Sequence, residues 1–134
     1  MTTVQWRKWP LWVATGWLVL VSLVHTSATW AVVDPLLASN LEPELANLYR
    51  VLWHICTIVL WSVPLAIGWA AVRAEPVAAR PMLVQAWMFC AAIAIAFLAV
   101  NWAAFGPAEL FTLPQWLLFL PPMALVPFGL PQAR

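Results

Sequence analysis

Apolar positions in this chain run in long blocks, with polar residues confined to the gaps between them. Asp, Glu, Lys and Arg are absent from Leu11–Val33, Val51–Val72, Met82–Ala108 and Leu110–Ala133. The hydrocarbon core of a bilayer is crossed by about 20 apolar residues at helical rise. Lipid offers a backbone no hydrogen bonds, so each crossing must be a helix. The pattern predicts an all-α integral membrane protein, a four-helix transmembrane bundle forming one domain over residues 1–134. Its spans are expected near 11–33, 50–72, 82–105 and 113–130.

The gaps refine this picture. Asp34-Pro35 reads as a helix start, because a carboxylate caps free N–H groups and proline suits a first turn. Leu37, Leu41, Leu45 and Leu48 then recur near helical spacing, with Glu42 and Glu44 pointing elsewhere. This predicts a short amphipathic segment on the outer face, bent at Pro43; an ordinary ordered loop is the competing reading. Pro64 and Gly68 predict a kink in span two. Arg73 to Arg80 is a short connection, so spans two and three are expected to be antiparallel neighbours. Span three is rich in alanine, which lets helices approach closely in lipid and predicts a central position. Span four is interrupted by Pro114, Pro121, Pro122 and Pro127, and is expected to cross in two pieces or fray from Gly129 onward.

Composition and charge add orientation and exclusions. The chain is 65% hydrophobic and 8% charged, with mean hydropathy +0.89, far from soluble domains. A net charge of +1 with scattered Lys and Arg excludes a nucleic-acid surface. Arg7, Lys8, Arg73, Arg80 and Arg134 fall on one side of a four-pass chain; Asp34, Glu42, Glu44, Glu109 and Arg50 fall on the other. Basic residues mark the cytoplasmic side, so both termini are expected inside, in a bacterial inner membrane. Trp6, Trp9, Trp12 and Trp69 near one boundary and Trp30, Trp53, Trp102 and Trp116 near the other agree with that map. Arg7-Lys8, the following apolar run and Thr26-Ser27-Ala28 also imitate a cleavable signal. Apolar character resuming at Trp30–Val33 opposes that reading. Cys56 and Cys90 both lie in spans, which speaks against an exported disulfide framework.

Candidate chemistry is sparse. Ionisable residues inside a membrane invite a functional reading, and His25 and His54 qualify. At about 1.5 Å per residue they lie roughly 12 Å and 6 Å below the outer boundary. Asn101 of span three is also near the outer end. Ser22 and Thr29 share the wheel face of His25, while Arg50, Thr57 and Trp61 share that of His54. With Glu109 at the rim, these residues make an outer polar cluster.

The cluster has a plain explanation in hydrogen bonds between helices. Its sharper reading is a b-type haem held by His25 and His54 as axial ligands. A metal site would lack a third ligand. A proton or solute path would lack partners in the inner half, where Thr15, Ser62 and Gln85 are the polar groups found. Ser22 near His25 has no acidic orienter, so no catalytic residue is assigned. Two functions stay open: an accessory subunit that binds lipid, a partner membrane protein or its own copies, and a cofactor- or ligand-binding protein. A small transporter is a third.

Overall fold

A computed structural model describes residues 4–107, 110–111 and 114–133, with residues 4, 5, 132 and 133 as backbone. Among these residues the regular structure is helical apart from one short strand pair. β1 (Val4–Gln5) precedes α1 (Trp9–Ser27), α2 (Thr29–Leu37), α3 (Pro43–Arg73) and α4 (Pro76–Phe105). A 3-10 segment (Pro114–Phe119), α5 (Leu120–Phe128) and β2 (Gln132–Ala133) complete it. Three helical stretches, Trp9–Leu37, Pro43–Arg73 and Pro76–Phe105, are long and apolar enough to cross a membrane.

Proline sets where these helices begin. Pro10, Pro43 and Pro76 each occupy the first turn, where the missing N–H has no carbonyl to serve. At the other end of α4, Gly106 takes φ 81° and its N–H returns to the Trp102 carbonyl, a left-handed stop suited to glycine. Ala28 separates α1 from α2. There the Ser27 and Thr29 hydroxyls donate to the Val24 and Thr26 carbonyls, and such competition bends helices.

Two sequence expectations need correction here. No separate amphipathic segment follows Asp34-Pro35: α2 runs through that pair to Leu37, and α3 begins at Pro43. Leu45 and Leu48 are therefore early residues of a 31-residue helix. Pro43 starts that helix because its fixed φ suits a first turn as well as it suits a bend. Span three also stands at a corner. α1 lies beside α3 and α5, and α4 lies beside α3 and the C-terminal segment, so α1 and α4 oppose each other across the diagonal. Alanine permits close approach to two neighbours without requiring a third.

The core is concentrated at one end. Leu11, Ala14 and Leu18 of α1 meet Val63, Ile67, Ala70 and Ala71 of α3. Ala79, Leu83, Ala86, Cys90 and Ala94 of α4 join them, with Phe119 and Val126 from the C-terminal segment. Within α4 they are spaced four, three, four and four residues apart, the stripe of a helix packed on one side. The two residues Ala74 and Glu75 connect α3 to α4, so these helices are antiparallel neighbours. α1 begins, α3 ends and α4 begins at this sealed end. β1 and β2 also pair antiparallel there, Val4 with Ala133 and Gln5 with Gln132.

The C-terminal segment thus returns from the far end of α4 to the level of the N-terminus, despite its prolines. Prolines free carbonyls that a helix would otherwise bond, and here side chains take them up. Leu118 faces Pro121 and Pro122, three and four residues on, so neither 3-10 nor α pairing can serve its carbonyl. Trp17 Nε1 donates to it at 2.7 Å. The Met123 carbonyl loses its partner to Pro127 and accepts Trp87 Nε1 at 2.8 Å. The same device operates in α3, where Pro64 frees the Leu60 carbonyl and the Ser22 hydroxyl donates to it at 3.0 Å. In the turn ahead of the 3-10 segment, outside any helix, the Leu110 carbonyl accepts from Trp116 Nε1 at 3.1 Å. At the terminus of α5, Trp6 Nε1 donates to the Gly129 carbonyl at 2.9 Å.

Candidate functional site

Above the core, α1 and α3 meet along a polar seam. Ser22, His25, Thr26 and Thr29 recur at three- and four-residue spacing, so one face of the α1–α2 rod carries them all. Opposite lie Trp53, Thr57, Leu60 and Trp61 of α3. Each threonine hydroxyl on this face donates within its own rod and accepts from an indole. Trp53 Nε1 donates to Thr29 Oγ1 at 2.9 Å, and that hydroxyl donates to the Thr26 carbonyl at 2.8 Å. Trp61 Nε1 donates to Thr26 Oγ1 at 3.1 Å, and that hydroxyl donates to the Ser22 carbonyl at 2.7 Å. A hydroxyl has one proton and two lone pairs, so both roles fit. Ser22 Oγ shares its proton between the Leu18 and Leu60 carbonyls, at 2.8 and 3.0 Å.

His25 is the ionisable member of the seam. Its ring stacks on Trp53 with centroids 4.1 Å apart and planes 17° from parallel. The buried His25 Nε2 has no hydrogen-bond partner. A buried unpaired nitrogen costs about 1–3 kcal/mol, which makes Nε2 a position where a polar ligand could bind.

The predicted cluster is only partly assembled. Ser22, His25 and Thr29 do share one face, and it is turned to α3. Thr57 faces the seam but donates to the Trp53 carbonyl of its own helix at 2.9 Å. His54 follows Trp53 by one residue, about 100° around the helix; it and Arg50 are exposed. The two histidines therefore do not face a common space between helices. Asn101 is buried on α4, 2% exposed, on the corner diagonal to α1. Glu109 lies outside the described residues. Among the described residues no three His, Cys, Asp or Glu side chains gather as a metal site.

The Thr26, Ser27 and Thr29 hydroxyls all donate to carbonyls of the α1–α2 rod; sequence reasoning left Thr26 out of the cluster. It missed Trp53, Trp61 and Trp17 as donors. Trp53 is expected at the headgroup zone by position, whereas its indole reaches across to Thr29. For Trp17 the available signal was the Pro121-Pro122 pair, which leaves the Leu118 carbonyl unserved; for Trp61 the sequence offers none.

Beyond the seam the helices diverge in character. At the end opposite the core Trp30 is 73% exposed, Leu48 53%, Trp102 59% and Phe105 55%. No family model, no curated protein and no solved structure matches this chain.

Proposed function

We propose that this is a small polytopic inner-membrane protein of bacterial type with four crossings and both termini in the cytoplasm. It serves as an accessory subunit that grips a partner membrane protein through its outer end. The observation that carries this reading is helix length. α3, with 31 residues, is about 46 Å long at 1.5 Å per residue, against about 30 Å of hydrocarbon. Arg73 and Arg80, with Arg7 and Lys8 before α1, anchor the sealed end at the inner headgroups. Counting about 20 residues outward from Arg73 and from Trp9 reaches Trp53 and Thr29. That pair is hydrogen-bonded, which sets one level for the outer boundary on both helices.

Everything past that level projects from the hydrocarbon. It carries Trp30, Leu45, Leu48, Leu52, Trp102 and Phe105, all exposed, beside exposed Arg50 and His54. Apolar surface that continues past headgroup-level Trp30 and Trp102 to Leu45 and Leu48 marks a protein-binding face. Arg50 and His54 supply polar contacts at its edge. The fourth crossing is supported by the C-terminal segment, whose 3-10 and α5 parts hold six and nine residues. At about 2.0 and 1.5 Å per residue they reach about 25 Å.

Photo-crosslinking tests the docking reading. A photoreactive residue at Leu48 or Trp102 is expected to give one discrete protein adduct in cells, while the same residue at Leu20, in mid-span, gives lipid adducts. Lipid adducts alone at all three positions would contradict it. A second reading, a ligand site at His25 with b-type haem as its sharpest form, draws support from the unpartnered Nε2. Protein purified in mild detergent from haem-supplied cells would then show a Soret band that His25→Ala removes. A featureless visible spectrum would reject haem.

A further inference from the structure

A groove of about 360 Å³ runs between α1 and α3 toward the sealed end, lined by Trp12, Thr15 and Val19 on one wall. The other wall is Trp61, Leu65, Gly68, Trp69 and Val72, and Arg73 closes its inner end. We propose that this groove is a binding site for one anionic phospholipid of the inner leaflet, with its phosphate at Arg73 and an acyl chain laid between the two helices. This does not rest on the docking reading, because the groove lies at the opposite end from the projecting surface.

Three features argue for that occupant. The first is shape. Gly68 has no Cβ, so the wall between Leu65 and Trp69 is recessed, and a Cβ there would rest on Thr15 Cγ2 at 3.6 Å. From Arg73 to Trp61 the groove follows α3 for about 18 Å, matching a linear hydrocarbon better than a globular ligand. The second is chemistry: apart from Arg73 and the Thr15 hydroxyl, the wall consists of indole and aliphatic groups with Pro64 and Gly68. The third is charge. Arg73 stands at the mouth, and Arg80, Arg7 and Lys8 share its end of the molecule, opposed by Glu75. A cation beside a lipid-filled groove recruits anionic headgroups, and Trp69 sits one turn from Arg73, where indole favours the headgroup boundary.

The test uses the full-length protein in mixed micelles, with phosphatidylglycerol and phosphatidylcholine of identical acyl chains as probes, read by native mass spectrometry and thermal unfolding. Phosphatidylglycerol is expected to be retained about fivefold over phosphatidylcholine, the factor one near-surface cation contributes, and to raise Tm. Arg73→Gln is expected to bring the ratio close to unity. Gly68→Leu fills the groove and is expected to abolish retention of both lipids while leaving Tm in lipid-free micelles near that of the parent. Arg80→Gln is the control for diffuse attraction and is expected to keep most of the preference. Equal retention of the two lipids by the parent protein, or equal losses in Arg73→Gln and Arg80→Gln, would overturn the proposal. So would undiminished retention by a folded Gly68→Leu variant.

Discussion

Each internal proline in a membrane helix leaves a carbonyl that lipid cannot serve. Here the Trp17 and Trp87 indoles and the Ser22 hydroxyl serve three carbonyls that prolines leave without a helical partner. The prolines could be read from the sequence, and so could the broken character of the fourth segment. The donors could not, since Trp17 and Leu118 are joined only after folding has chosen helix neighbours. A double-mutant cycle tests the pairing. Trp87→Phe keeps the ring and strands the Met123 carbonyl, and should cost about 1 kcal/mol in a detergent unfolding titration. In a Pro127→Ala background, residue 127 offers a backbone N–H to that carbonyl, so the same substitution should cost at most about half as much. Equal costs in the two backgrounds would mean that the indole bond does not answer the proline.

Among elements, the helices themselves were legible from charge-free length, and the C-terminal ends of α3 and α4 fall within one residue of the expected bounds. The misplaced boundaries share one cause. Pro43 and Pro76 start α3 and α4 ahead of the apolar blocks, so polar first turns belong to helices that hydropathy truncates. How the elements close on one another depends on contacts that hydropathy does not encode. Gly129, just past α5, is an example: a Cβ there would collide with the Leu11 side chain, which is fully buried. Gly129→Ala should therefore lower stability by about 1–3 kcal/mol through overpacking. Gly16 in α1 has nothing within 4 Å of an added Cβ, and Gly16→Ala should raise stability by about 0.5–1 kcal/mol through helix propensity. Thermal unfolding of the two variants in one detergent reads both signs, and matching signs would refute the packing assignment.

For the whole molecule, the sealed end and the projecting end divide the work. The sealed end holds the core, Arg73 and Arg80, the terminal strand pair and the groove proposed for lipid. The opposite end holds exposed aromatic and leucine side chains, the surface proposed to meet a partner. The polar seam with His25 lies between them and locks α1 to α3. Sequence reasoning found most of the seam residues of α1 from wheel faces alone. It joined them to His54, Arg50 and Asn101 because depth was readable and rotation about each helix axis was not.

Both functional proposals stand on one topology, in which the proline-broken segment crosses and brings the C-terminus back beside the N-terminus. Single cysteines placed at Thr3 and Gln132, in a Cys56→Ala, Cys90→Ala background, test it with a membrane-impermeant maleimide applied to right-side-out and inverted vesicles. Labelling of both positions only in inverted vesicles is the predicted result. Labelling of the two positions from opposite sides would contradict the account, leaving three crossings and no common end for the chain to close upon.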